Sequence, residues 1–334
     1  MKEDKPEKQS KSKLSLVIKL LVVALIVGLG TFAALNYQFI ADTFSGLGFK
    51  PEGEMANIKT SLDLNGTGER IFNASHPVLE AREKFNEDCN SHEAGTSVLG
   101  CYTNRTIYIY DINSDELKGI KESTTAHELL HAAWARLSQG EKDRLGESLN
   151  KIYEDEKYHK LLDADLKNYD EKDRLDELHS RIGTEIKSLP DELEEHYAEY
   201  FKDQDKIVGF YDSYIKPFNE LKAQIEALSK AITDLRNSIN SKSTEYESRA
   251  NSLNLEISEF NSCANTLNCF SSQSAFYGRR GELVAEQEAV NALYAETDAL
   301  IKDYNAKVAE YNANILKNQS LENLINSNKE VNNL

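Results

Sequence analysis

The sequence has few of the residues that punctuate tight turns: five prolines and 16 glycines in 334 positions. Both fall below average usage, which argues against an all-β chain and makes long helices the expectation. Positive charge is also in deficit, with 39 basic residues against 56 acidic ones and a net charge of −17. Such a chain repels a phosphate backbone, and no basic patch interleaved with aromatics reverses the sign, so nucleic acid is not an expected partner. There is no glycine-rich phosphate cradle and no GxSxG elbow. Cysteine is limited to four residues, so using one as a nucleophile would leave another unpaired. What is present, 40% hydrophobic and 28% charged residues, suffices for one or two folded domains.

Charge is missing locally as well. Residues 14–35 hold one ionisable group, Lys19, and the stretch from Leu20 to Leu35 holds none. At about 1.5 Å per residue this run crosses a hydrocarbon core of about 30 Å. Lys2, Lys5, Lys8, Lys11 and Lys13 precede it, which keeps the amino terminus cytoplasmic and places the rest of the chain outside, at the cell membrane. Lys19 can snorkel to the headgroups. The run exceeds the ~7–15 apolar residues of a signal h-region, which favours a retained anchor over the competing reading, a peptide cleaved near Thr31, Phe32 and Ala33. The first 19 residues carry six lysines and three acids, leaving about −20 on the remainder. The cysteines form two close-set pairs, Cys89 with Cys101 and Cys263 with Cys269. In an oxidising compartment each pair can close a small disulfide loop, the alternative being four free thiols.

The expected division is a basic tail at 1–13, a transmembrane anchor at 14–36, an α+β, mostly helical domain at 37–214 and a helical hairpin at 215–334. Within the domain, residues 77–86 read as a short helix. Residues 97–102 and 105–110, joined by a Thr103-Asn104 turn, read as a β-hairpin, the one clear sheet signal. Residues 123–201 read as several helices broken at Gly140, Gly146, Gly183 and Pro190. Beyond them, Phe218, Leu221, Ile225, Leu228, Ile232, Leu235 and Ile239 recur at steps of three and four, as do Ile301, Tyr304, Val308, Tyr311 and Ile315. Two such seams predict an antiparallel coiled-coil hairpin with the Cys263 and Cys269 loop near its tip; self-association between chains satisfies the same pattern. Lys242 and Arg249 interrupt the first seam and predict a looser middle.

The chemistry concentrates at His127-Glu128-Leu129-Leu130-His131. Histidines four apart on a helix share a face, so both imidazoles can reach one zinc ion, while the glutamate between them can hydrogen-bond its water. Thr124, Thr125, Ala126, Leu129, Leu130, Ala132, Ala133 and Trp134 around them are uncharged, as a helix buried beside a cleft requires.

Residues 124–133 resemble the active-site helix of the zincin metallopeptidases. The resemblance covers roughly residues 97–201 and implies a zincin-like fold, a single zinc ion held by His127 and His131, Glu128 as general base, and hydrolysis of a peptide or protein substrate. It further implies a strand along the cleft, for which residues 106–112 are suitably placed to pair with an extended peptide. Position 137 is Leu rather than His, which excludes the metzincin type. In the gluzincin type a later Glu is the third ligand, and Asp176-Glu177-Leu178-His179-Ser180 has that form, with Glu185 as runner-up or as support for a zinc histidine. The Asp expected four residues after the ligand Glu is replaced by Arg181. The candidates for oxyanion hydrogen-bond donors are His179, His196, Tyr197 and Tyr200. His76, His92 and His159 have no motif context and read as structural or exposed. A second class of function, an envelope scaffold or interaction protein working through the hairpin with a structural or inactive zinc site, accounts for the length of the coiled segment.

Overall fold

The scarcity of proline and glycine is expressed directly as helix. In the computed structural model, which describes residues 9–89, 98–166, 169 and 171–327, twelve α-helices and a three-stranded sheet are found among the described residues. The basic tail at 1–8, His92 and the start of the expected hairpin at Ser97 lie outside them. Helix α1 (Gln9–Leu35) contains the apolar window Leu16–Leu35, long and apolar enough to cross a membrane, and none of that window is buried. Helix α2 (Tyr37–Ser45) follows after a single residue, then α3 (Gly53–Leu62), α4 (Gly66–Ala74), strand β1 (Val78–Glu80) and α5 (Arg82–Asp88). The expected helix over 77–86 is therefore half strand. Three residues are too few for a periodicity, and Val78 to Glu80 are extended because they pair in parallel with the central strand.

Strands β2 (Gly100–Thr103) and β3 (Thr106–Tyr110) form the expected antiparallel hairpin, with Thr103 opposite Thr106. Its turn residues are Asn104 and Arg105, at φ +51° and +65°. Two successive positive φ values are what a two-residue hairpin turn needs to match the strand twist. The sheet order β1-β3-β2 makes β3 central and β2 an edge. The expectation that residues 106–112 could take up an extended peptide is thus corrected: β3 is paired on both sides, and β2 is the edge strand.

Helix α6 (Ile120–Trp134) is followed by α7 (Gln139–Glu154), α8 (Glu156–Leu166), α9 (Glu171–Glu185) and α10 (Asp191–Tyr197). The break at Pro190 holds, but Gly140 and Gly146 lie inside α7 and Gly183 inside α9. At Gly183 the cause is packing: a Cβ there would come within 2.5 Å of both Leu130 Cδ1 and Tyr197 Cε1. The missing side chain lets α9 close on α6. Buried Leu129, Leu130, Leu178, Ile182, Leu193 and Tyr197 join these helices to Ile107 and Ile109 of the sheet in one core. Each such side chain contributes about 1.5–3 kcal/mol on burial.

Helix α11 (Gln204–Ala264) contains Pro217, and α12 (Gln273–Ile325) returns. The described residues divide into two compact units, one up to Ile215 and taking in 325–327, the other Lys216–Leu324. The second unit is an antiparallel hairpin. Along it Gln224 meets Asn314, Tyr246 meets Tyr294, Arg249 meets Glu286 and Glu256 meets Arg279. Leu228 and Ile232 are buried in the seam as expected. Ile301, placed in the second seam from its spacing, is 39% exposed, whereas Leu283, Val290, Leu293 and Thr297 are buried. Lys242 and Arg249 do not loosen the middle: they reach Glu296 and Glu286, each at 2.9 Å. Both cysteine pairs come together as disulfides, with Cα separations of 5.9 Å for Cys89–Cys101 and 5.4 Å for Cys263–Cys269.

Candidate metal centre

Helix α6 is set in place from both ends. At its start Lys121, buried, reaches Asp111 at 2.6 Å and Glu54 at 2.7 Å. Just past its end Arg136 binds buried Asp42 through Nε at 2.9 Å and Nη2 at 3.0 Å. The uncharged residues Thr124, Thr125, Ala126, Leu129, Leu130, Ala132, Ala133 and Trp134 are all buried. His127 and His131 keep about a fifth of their side-chain surface exposed, so the face they share is the one that ligands can reach.

On that face the two Nε2 atoms lie 3.1 Å apart. Glu177, brought alongside by α9, places Oε2 at 3.3 Å from His131 Nε2 and 3.7 Å from His127 Nε2. Ligand atoms at 2.0–2.1 Å from a tetrahedral zinc ion stand about 3.3–3.4 Å from one another. A triangle of two imidazole nitrogens and one carboxylate oxygen with these sides fits such an ion, with a fourth position open. Glu128 is buried on the same helix, and its carboxylate lies within 4.8 Å of the histidine ligand atoms.

The electrostatics agree with a site built for a cation. Burial by itself disfavours the imidazolium of His131, but Asp176 and Glu177 outweigh it and hold the ring well above its usual pKa. The same balance of burial against Glu177 raises His127. Glu177 is held well below the usual carboxylate range, because the two histidines outweigh its desolvation. Positive charge is therefore favoured at the centre of this group.

The sequence reading did not assign Asp176. Its Oδ1 accepts a hydrogen bond from His131 Nδ1 at 2.8 Å, which fixes the tautomer that leaves Nε2 free to ligate. The available signal was its place directly before Glu177. Glu185, the runner-up, is elsewhere: both its carboxylate oxygens accept from Arg181, at 2.9 Å each. Gly100 was missed as well. A Cβ on this β2 residue would lie 2.8 Å from Glu128 Cγ and 2.7 Å from Thr124 Cγ2, so the edge strand passes directly over the glutamate.

His179, His196, Tyr197 and Tyr200 are all buried in one aromatic cluster against Trp134. Tyr197 Oη donates to the carbonyl of His179 at 2.8 Å, and the Nε2 atoms of His179 and His196 are 2.8 Å apart. Burial followed by His196 pushes His179 well below its ordinary pKa, and burial followed by Arg144 pushes His196 down to about 4. These groups pack behind the helix that carries His127 and His131, with Tyr197 Oη and the two Nε2 atoms engaged within the cluster. His76 reaches the carbonyl of Ser45 at 2.9 Å and His159 that of Tyr153 at 2.9 Å, both structural roles. The chain matches no protein-family model, no curated protein and no solved structure.

Proposed function

We propose that the chain is a membrane-anchored, zinc-dependent peptidase acting at the extracytoplasmic face. The observation that carries this reading is the triangle of His127, His131 and Glu177 with Glu128 beside it. A structural metal needs no base, and here the base is present, buried and packed under a sheet edge. A zinc ion held by the three ligands would polarise the scissile carbonyl and lower the pKa of its bound water. Glu128 would serve as the base that takes that water's proton and returns it to the leaving amine. Asp176 keeps the His131 ring aimed, and the edge of β2 offers backbone groups to an extended substrate. The apolar window of α1, the lysines ahead of it and the two disulfides support an anchored chain whose folded part lies in an oxidising compartment.

The test uses the full chain in detergent. Wild type is expected to hold about one zinc ion by mass spectrometry, Glu177→Ala to lose it, and Glu128→Gln to keep it while cleaving casein roughly 10²–10⁴-fold more slowly. A wild-type protein without zinc after metal reconstitution, or a Glu128→Gln variant of undiminished activity, refutes the reading. The first of these results would favour the scaffold reading, for which the hairpin Lys216–Leu324 is the working part.

A further inference from the structure

Helix α2 (Tyr37–Ser45) is turned inside out for a soluble domain. Tyr37, Phe39, Thr43 and Phe44 are exposed, Ile40 and Ala41 are half-buried, and Asp42 is the one fully buried residue of the helix. The polar residues Gln38 and Asp42 are the ones packed inward. Asp42 is 1% exposed and accepts from Arg105 as well as Arg136, Gln38 Nε2 donates to Asp42 at 3.1 Å, and Ser45 Oγ donates to the carbonyl of Ala74 at 3.1 Å. The aromatics face out: Tyr37 is 71% exposed, Phe39 53% and Phe44 72%, with Leu47 just past the helix at 76%. A helix that buries an ion pair and exposes its aromatics requires an apolar surface outside the chain.

We propose that this surface is the headgroup and upper acyl layer of the membrane that α1 crosses, and that α2 is an interfacial helix seating the domain on the bilayer. The argument for lipid over any other occupant is continuity. The apolar window ends at Leu35, and α2 starts two residues later, after Asn36, whose backbone leaves the helical region at φ −110° and ψ 19°. The exposed face of α2 therefore starts at the level where the span leaves the hydrocarbon. Tyrosine and phenylalanine at that level are the residues that anchor an amphipathic helix about 5–10 Å into the headgroup boundary. The Asp42–Arg136 pair makes the seat rigid, because it joins α2 to the residue five places after His131, about 7 Å along the ligand helix.

The inference rests on α1 being a membrane span but is independent of catalysis, and its test reads no activity. The full chain is reconstituted into phosphatidylcholine vesicles with and without lipid brominated near the glycerol, or near the chain ends for the mid-span control, as wild type, Phe44→Trp, Leu47→Trp and Leu25→Trp. Wild type supplies the background from its single tryptophan, the buried Trp134. The added emission of Phe44→Trp and Leu47→Trp is expected to fall by roughly half or more in brominated lipid and to resist aqueous acrylamide. Emission that acrylamide quenches and bromolipid does not, while Leu25→Trp is quenched by bromolipid, overturns the proposal and leaves the span intact. Protection from both quenchers overturns it in favour of a second copy or a protein partner on α2. Failure of bromolipid to quench Leu25→Trp removes the span and the proposal together.

Discussion

Asp176→Asn separates the support of the metal site from the support of the fold. Asp176 Oδ1 accepts from His131 Nδ1 at 2.8 Å, and its side chain is one-third exposed. Asparagine keeps the volume and an acceptor oxygen but removes the charge that makes Nε2 a better ligand. At 2.8 Å a unit charge pair is worth about 1.5 kcal/mol in water and about 6 kcal/mol at an effective dielectric of 20. Partial exposure of Asp176 places the effect toward the lower figure. An expected loss of about 1.4–2.8 kcal/mol, 10–100-fold in zinc affinity, is in the range found for carboxylates that orient metal-bound histidines. The assay is competition for zinc against a chelator of known affinity, on the full chain in detergent near neutral pH, with circular dichroism as the check on folding. Glu185→Gln is the comparator. It breaks the Arg181 pair, so it should lower stability and leave zinc affinity unchanged. Wild-type affinity in Asp176→Asn, or an equal loss in Glu185→Gln, refutes the assignment.

Gly100→Ala forces Glu128 or Thr124 to move, because the new Cβ would stand 2.8 Å and 2.7 Å from their side-chain carbons. Hydrolysis is expected to fall roughly 10²-fold with zinc content unchanged, and a wild-type rate would show that Glu128 is not confined by β2. Arg136→Met leaves buried Asp42 with Arg105 as its remaining cationic partner, and should cost about 3 kcal/mol in urea denaturation, the lower end for a broken buried pair; a loss below about 1 kcal/mol would mean that the pair does not hold α2. His196 has its folded pKa lowered from 6.5 to about 4, so the unfolded chain binds the proton first. Its contribution is complete above about pH 6.5 and is lost as pH falls toward 4, about 3 kcal/mol in all. Denaturation midpoints that decline across this window in wild type, and less steeply in His196→Gln, are the expected result; equal slopes would contradict it.

The motif and its surroundings were legible because each depends on local spacing. Histidines at i and i+4 share a face in any helix, an uncharged flank declares burial, and a charge-free run declares a helix long and apolar enough to cross a membrane. The heptad steps of α11 declared a hairpin, and nearby cysteines declared two loops. What depended on distant partners was not legible. Three residues at Val78 to Glu80 become a strand only beside β3, and Gly183 continues a helix because Leu130 and Tyr197 occupy the space a side chain would fill. Ile301 fits the spacing but not the seam, since the partner helix selects which face is buried. Glu177 and Glu185 were both available in sequence as ligands, and the turn of α9 against α6 presents the first to the histidines and the second to Arg181. The same packing supplies Asp176, whose role lies in a distance to His131 across 45 positions of chain. The sequence by itself determined the histidine pair and the helix that carries it; the approach of α9 and β2, set by core packing between elements remote in sequence, decided which carboxylates stand beside that pair.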